Sequence, residues 1–348
     1  MEQIKIAGRM VGLGAPCFVV AEAGVNHNGN FRLAKKMVEA AKRAGADAIK
    51  FQIFCADRVV AKGAKKAMYQ KKSTGKGSQY EMLKKLELTE GEFRKLAAHA
   101  KRKNIIFLAS AFDERSVDFL NGLNVPAFKI PSGEITNFPL LRRVAKKRKP
   151  VLLSTGMSTL DEVAGALSTL RAGGAREIAL LHCVSDYPAK IKDVNLRAIE
   201  TLKRKFWLPV GLSDHTLGTM VPIAAVALGA VVIEKHFTLD RKLPGPDHKA
   251  SLEPDELRKM VTRIREVEKA LGNGIKMPTK TEEIIKKAVR RSIVARVYIP
   301  KGTVIVGGML DLKRPGTGLE PKYLKKVVGK RAKKDIKVDE LITFEKLL

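Results

Sequence analysis

The sequence predicts a parallel (β/α)8 barrel, the TIM-barrel form of the α/β class, followed by a small β-rich module. Three observations carry this. Eight short β-rich runs alternate with amphipathic helical patterns almost from the start of the chain. Polar side chains gather where nearly every one of those runs ends, the place where this fold keeps its chemistry. After "GNGIKMPTKTEE" the alternation stops and short strands and turns take over. A doubly wound open sheet is the alternative, but no glycine-rich dinucleotide fingerprint follows the first run.

In order, the runs are "FVVAEAG", "AIKFQIF", "IIFLASAF", "AFKIPSG", "PVLLSTG", "EIALLHCV", "PVGLSDH" and "VVIEKHF". Between them lie helical stretches such as "RLAKKMVEAAKRAG", "LTEGEFRKLAAHAKRK", "STLDEVAGALSTLRAG" and "VNLRAIETLKRKF", and "PDELRKMVTRIREVEKALG" would be the last helix of the barrel. The long basic segment from Cys55 to Tyr80 follows the second run, which puts it on the rim as a candidate lid. The expected division is a barrel over 1–275, a linker over 276–284 and a β-rich module over 285–348, marked by "RRSIVARVYIPKGTVI", "LKRPGTGLEP" and "KKDIKVDELI".

With 348 residues, 45% hydrophobic and 29% charged, the chain can bury one large core and a small one. No run has the length and apolarity of a membrane span, and the N-terminus has no apolar signal core, so the expected location is cytoplasmic. Three widely spaced cysteines, none in a CxxC pair, argue against a disulfide framework or a structural zinc site. The formal net charge of +30 raises the question of nucleic acid. The basic residues are scattered and not interleaved with aromatics, so no specific nucleic-acid partner is expected; the charge reads as a solvated surface that draws in anionic substrates.

At the strand ends stand Glu22, then Lys50 and Gln52, Ser110, Lys129 with Ser132 and Glu134, Ser154, His182 with Cys183, the trio Ser213, Asp214 and His215, and finally Glu234, Lys235 and His236. Alternation puts Lys50 with Gln52, Ser213 with His215, and Glu234 with His236 on shared faces. Taken singly, His215 or His236 reads as a hydrogen-bonded core residue. On adjacent strands about 4.8 Å apart, the two imidazoles could share a metal ion. Lys50 and Lys129 either pair with Glu22 or Glu134 or, with the serines around them, cradle a phosphate or carboxylate. His182 and Cys183 carry a weaker signal, His99 sits on a helical pattern and is expected at the surface, and Asn26 and His27 either orient a substrate or cap their turn.

The stretches "AEAGVNHNG", "IKFQ", "FKIPSGE", "LSTGMS", "HCVSDYP", "GLSDHT", "EKHFTLDR" with "PGPDHKASL", and "KRPGTGL" together resemble the N-acetylneuraminate (sialic acid) synthase family. The resemblance runs in order over nearly the whole chain, and the terminal module resembles the family's antifreeze-like (SAF) domain. It implies condensation of phosphoenolpyruvate with N-acetylmannosamine or a related N-acetylated sugar, giving a sialic acid and phosphate. Carried onto this chain, it implies His215 and His236 as ligands of a divalent metal, Mn²⁺ first, then Mg²⁺ or Co²⁺. Lys50, Ser110, Lys129, Ser132, Ser154 and Ser213 would hold phosphoenolpyruvate, and Glu22 would be the acid–base group. Gln52, Tyr187 and Asp247 would face the sugar, and Arg314 would reach its N-acetyl group from the partner subunit of a domain-swapped homodimer.

Two departures stand out: Asp186 precedes Tyr187 where relatives often carry Asn, and Ala23 stands where Ile is common. The first bears on which sugar is used, so acceptors on the route to legionaminic or pseudaminic acid, or a 6-phosphorylated sugar, stay open. Outside the family, the rivals are a Schiff-base aldolase using Lys129 or Lys50 and a basic nucleic-acid-binding barrel.

Overall fold

The structure, a computed structural model, describes residues 3–348. It falls into two compact units, Met1–Gly272 and Asn273–Leu348. The first opens with a hairpin absent from the sequence reading, β1 (Ile4–Ile6) and β2 (Arg9–Val11). Then come β3 (Phe18–Gly24), α1 (Phe31–Arg43) and β4 (Ala48–Ile53). The rim segment is an excursion of three short helices, α2 (Ala56–Val59), α3 (Met68–Thr74) and α4 (Gln79–Lys84). The alternation resumes with α5 (Glu90–Arg102), β5 (Ile106–Ala111), α6 (Glu114–Gly122), β6 (Phe128–Ile130), α7 (Phe138–Ala145), β7 (Val151–Ser154) and α8 (Leu160–Ala172). It closes with β8 (Ile178–Cys183), α9 (Ala198–Phe206), β9 (Val210–Asp214), α10 (Met220–Ala227), β10 (Val232–His236) and α11 (Pro254–Leu271).

Strands β3 to β10 form a closed parallel barrel in sequential order, with β10 pairing back onto β3. Both faces of such strands are buried, which is why they read as nearly continuous apolar runs. Outward residues such as Val19, Ile49, Phe51 and Leu153 pack under the helices. Inward residues Phe18, Val20, Leu108, Leu152, Leu181 and Val232 fill the lower lumen, and Ile4, Ile6 and Val11 of the hairpin plug it. Above that apolar layer the inward positions turn polar. The helices start where their caps dictate: Asn30, Thr89 and Thr159 accept from backbone N–H groups three residues on. Glu92 and Glu162 complete capping boxes.

The second unit holds α12 (Lys280–Val289), β11 (Ser292–Ala295), β12 (Leu310–Lys313) and α13 (Leu324–Val327). Its own core is Ile293, Ile299, Ile305, Val327, Ile336 and Ile342. Helix α12 is a correction, since its residues read as linker and the first part of the β-rich module. The Thr279–Glu282 capping box starts a helix there, although none of its residues is buried. His99 is a second correction. It is buried on α5, with Nε2 3.2 Å from Glu39, because the helix turns it toward its neighbour and away from solvent.

Candidate active site

The inward polar layer lines one cavity of about 490 Å³ at the C-terminal mouth of the barrel. Register explains the gathering. Across neighbouring strands His236 stands opposite Glu22, Glu22 opposite Lys50, Gln52 opposite Ser110, Ser110 opposite Lys129, and Glu234 opposite Ser213. Of the expected site residues, Glu22, Lys50, Gln52, Ser110, Lys129, Ser132, Ser154, Tyr187, Ser213, His215, His236 and Asp247 all line this cavity. Arg314 is carried by the second unit, directly after β12.

A chain of buried charges crosses the floor. Lys50 Nζ lies 2.8 Å from Glu22 Oε2 and 3.6 Å from Glu234 Oε2, and it donates to Ser110 Oγ at 2.8 Å. Lys129 pairs with Glu234 Oε1 at 3.0 Å, and Ser213 Oγ donates to the same oxygen at 2.9 Å. Burial opposes charge on Glu234, yet Lys129 and Lys50 hold its carboxyl well below the usual range. Glu22 goes the other way: burial pushes it up, and Glu234 adds to the push while Lys50 resists. Lys50 is raised by its two carboxylates despite burial, whereas burial and the nearby Lys50 leave Lys129 lowered despite Glu234. Two carboxyls and two amines thus have opposed tendencies, the arrangement from which acid–base roles are built. Glu234 stood out in the sequence as a strand-end group sharing a face with His236, but with no role assigned to it. Alternation already put it on the cavity face; Ser213 meets it from the preceding strand, but its bond to Lys129 depends on a strand far away in the chain.

Beside this floor lies a set of hydroxyls and a tight glycine. Gly156 N donates to Ser132 Oγ at 2.9 Å, and the buried Ser154 Oγ has no hydrogen-bond partner among the described residues. A Cβ on Gly156 would collide with Ser185 Oγ and come within 2.8 Å of Ser132 Oγ and 3.2 Å of Cys183 Sγ. Ser132, Ser154, Gly156 and Ser185 therefore make a small cradle that any larger side chain would fill, set against two lysines. An anion with several oxygens suits it.

The imidazoles of His215 and His236 are 5.4 Å apart, centroid to centroid, and tilted by 59°. His215 Nδ1 is 2.7 Å from the Val184 carbonyl, which can only accept, so in the neutral ring that nitrogen carries the proton and Nε2 is the one left for a ligand. His236 is held neutral, far below its ordinary value, by burial, then by His215 and Lys50. Its buried Nδ1 makes no hydrogen bond among the described residues and lies 3.9 Å from Asp247 Oδ2. Burial pushes the Asp247 carboxyl up to about 7, with Glu22 adding and His215 opposing. His215 goes the other way from His236: burial opposes its charge, but Cys183 and the Val184 carbonyl raise it above its ordinary value. Two imidazoles with carboxyls beside them are a donor set that fits a divalent ion, which would displace any proton from the ligating nitrogens. A different trio, Cys55, Asp57 and Glu87, also has metal-ligand spacing on the rim. There Lys84 already bridges both carboxylates, at 2.8 Å from Asp57 and 3.2 Å from Glu87, and offsets one of their two charges.

The other polar groups near the strand ends bond mainly within the protein. Lys235 points out of the lumen and pairs with Asp214 at 2.6 Å, an ion pair closed off from solvent. His182 Nε2 meets the Val194 carbonyl at 2.7 Å. Asn26 Nδ2 donates to the Phe237 carbonyl and to Ser251 Oγ, which ties the first loop to the last, and His27 Nδ1 accepts from Gly29 N. Tyr187 lies flat on His215, with centroids 4.0 Å apart, and Tyr69 of α3 stacks on Tyr187 at 4.8 Å. Tyr69, Gln70 and Gln79, all from the excursion, line the cavity and were missed, because nothing local in the sequence shows which side of a rim segment folds inward.

Comparison with known proteins agrees with this geometry. The NeuB family matches residues 37–276, and the SAF domain matches residues 290–348. The chain is 51% identical over 327 residues to an N,N'-diacetyllegionaminic acid synthase of Campylobacter jejuni, covering 93% of this chain and 98% of that protein. It is 38% identical over 340 residues to the N-acetylneuraminate-9-phosphate synthase of Homo sapiens, covering 97% and 94%. The solved N-acetylneuraminic acid synthetase of Leptospira borgpetersenii superposes with a TM-score of 0.73 at 37% identity, covering 82% of this chain and 95% of that one.

Proposed function

The chain belongs to the NeuB family, and on that footing we propose that it condenses phosphoenolpyruvate with an N-acetylated amino sugar to give a nonulosonic acid and phosphate. The observation that carries this reading is the unpartnered Ser154 hydroxyl and its glycine-backed cradle, opening beside two lysines and two imidazoles in a single cavity. Among acceptors, the higher identity to the legionaminic acid synthase favours a diacetamido sugar over N-acetylmannosamine or a 6-phosphorylated sugar.

In this reading Lys50, Lys129, Ser110, Ser132, Ser154 and Ser213 bind the carboxylate and phosphate of phosphoenolpyruvate. Two amines in a water-poor site neutralise those charges throughout the reaction. His215 and His236 would hold a divalent ion, Mn²⁺ first among candidates, with Asp247 and Glu22 nearby. Such an ion, when bound, supplies Lewis-acid polarisation of the sugar aldehyde. Carbon 3 of phosphoenolpyruvate attacks the aldehyde carbon and the new C–C bond leaves positive charge on carbon 2. Water adds to carbon 2, and the tetrahedral intermediate expels phosphate to leave the keto acid. Glu22, whose burial favours the protonated form, gives its proton to the developing alkoxide and takes one from the adding water. Gln52 Nε2, 3.3 Å from Glu22 Oε1, and Asp247 face the sugar.

Arg314 would reach the acceptor's N-acetyl group across a homodimer. Support for an assembly comes from α12, where Ile284, Ile285 and Val289 are exposed apolar side chains. A solution mass of one chain, or loss of phosphoenolpyruvate and sugar affinity in equal measure in Arg314→Ala, would remove that part.

The test is phosphate release from phosphoenolpyruvate with each acceptor, with Mn²⁺ and with EDTA. Release that requires both sugar and metal is expected. Release without sugar, or undiminished in EDTA, would overturn the reading.

A further inference from the structure

The cavity has two unlike halves. The floor is ionic; the roof, contributed by the 55–88 excursion and its neighbours, is apolar. Val25, Phe54, Met82 and Leu86 are buried together there, with Val59, Leu83 and Phe112 packed against them. Val59, Val60, Met82 and Leu83 face the cavity, and only two polar side chains without aromatic rings interrupt that roof, Gln70 and Gln79. Their amides touch: Gln79 Nε2 is 3.4 Å from Gln70 Oε1, which also accepts from Ala67 N at 3.0 Å. Gln70 Nε2 makes a long 3.4 Å contact to Tyr69 Oη. Among the described residues, a Gln70 N–H and the Gln79 Oε1 keep capacity for a ligand.

Among the described residues, no cation belongs to this roof. The lysines lining the cavity are Lys50 and Lys129, both paired with carboxylates on the floor. Lys66, Lys76 and Lys85 line a separate pocket beyond Met82 and Pro246, and Lys66 is engaged by the Gly75 and Lys76 carbonyls at 3.2 and 3.0 Å. A phosphate against the roof would be desolvated without a partner, which is costly; a methyl group or a neutral amide would not.

We propose that Gln70 and Gln79, set in this apolar roof, select the acceptor by its far end, hydrogen-bonding a second acetamido group while Val59, Val60 and Met82 take methyl groups. The inference rests on the synthase reading and sharpens it: the preferred acceptor is a 2,4-diacetamido-6-deoxy sugar, and a 6-phosphorylated sugar is rejected.

The test uses the full-length protein with phosphoenolpyruvate and three acceptors: the diacetamido-trideoxy sugar, N-acetylmannosamine and its 6-phosphate. The wild type should show the highest kcat/KM for the first, by at least about tenfold, as expected for a site built around an amide. Gln79→Ala should raise KM for the diacetamido sugar about tenfold with little loss of kcat, and shift the ratio of kcat/KM between that sugar and N-acetylmannosamine at least about fivefold. Gln70→Glu keeps the acceptor for Ala67 N, so it removes the N–H donors while preserving the local turn, and should move the same ratio. Val60→Lys should shift preference toward the phosphorylated sugar. A wild type that prefers the phosphorylated or singly acetylated acceptor, or a Gln79→Ala variant that loses all acceptors equally, would overturn the inference and leave the synthase reading standing. No phosphate release with any of the three would sink both.

Discussion

At the residue scale the site is a set of charges whose values are decided by what lies two to four ångströms away. Glu22 and Glu234 are both inward, both buried and both near Lys50, yet one is pushed toward its acid form and the other away from it. The difference is Lys129, which sits at 3.0 Å from Glu234 and bonds to it, while Glu22 feels Lys129 only from farther off and has Lys50 as its bonded amine. Of these two carboxyls, Glu22 is therefore the one whose surroundings favour holding a proton. Glu22→Gln should lower kcat by about 10²–10⁴-fold, the usual weight of a positioned acid–base group, while the affinity for phosphoenolpyruvate, measured by calorimetry, changes little. A near-wild-type kcat in that variant would take Glu22 out of the mechanism.

At the scale of elements, strand pairing decides which polar residues meet. Strands β9 and β10 each carry polar residues on both faces: Ser213, His215, Glu234 and His236 toward the cavity, Asp214 and Lys235 away from it. The outer pair is almost wholly closed off, with side chains at 0% and 2% exposure. Lys235→Met leaves Asp214 buried without its counter-charge, a change that typically costs about 3–5 kcal/mol. The expected result is a melting temperature lower by several degrees; an unchanged one would mean that the pair is neutral in energy. Lys235→Met combined with Asp214→Leu should recover part of the loss, since an apolar pair avoids the desolvation that the ion pair suffers. Alternation was legible from the sequence, and so were the shared faces of Ser213 with His215 and of Glu234 with His236. The helix α12 and the three helices of the excursion were not. The helices of the excursion are too short to leave a readable period and depend on what they pack against, whereas α12 starts from a local capping box and buries none of its residues.

At the scale of the whole molecule, acid stability should follow the buried neutral histidines. Burial carries His27 and His248 down to about 4 from an ordinary value of 6.5. Below 6.5 the unfolded chain takes up protons that the folded chain refuses, so stability is full above that pH and falls as pH drops toward 4. For His27, fully buried, the shift corresponds to about 3 kcal/mol. The melting temperature should decline between pH 6.5 and 4.5, and less steeply in His27→Asn once its lower starting stability is subtracted. An equal slope in both would show that His27 does not contribute.

What the sequence alone determined is considerable. The eight runs and their polar ends sufficed for a closed parallel barrel, because period-two alternation and a βα repeat leave few other topologies. Nearly every residue named for the cavity from the sequence lines it, since a strand-end residue's direction is set by its own backbone. Tertiary structure decided the rest: that Lys129 pairs with Glu234 and not with Glu134, that Lys235 serves the wall and not the cavity, that His99 is buried, and that Tyr69, Gln70 and Gln79 roof the site. These depend on which distant segments come within a few ångströms of one another. That is set by barrel closure and by how the rim folds over it, and neither leaves a local periodicity to read.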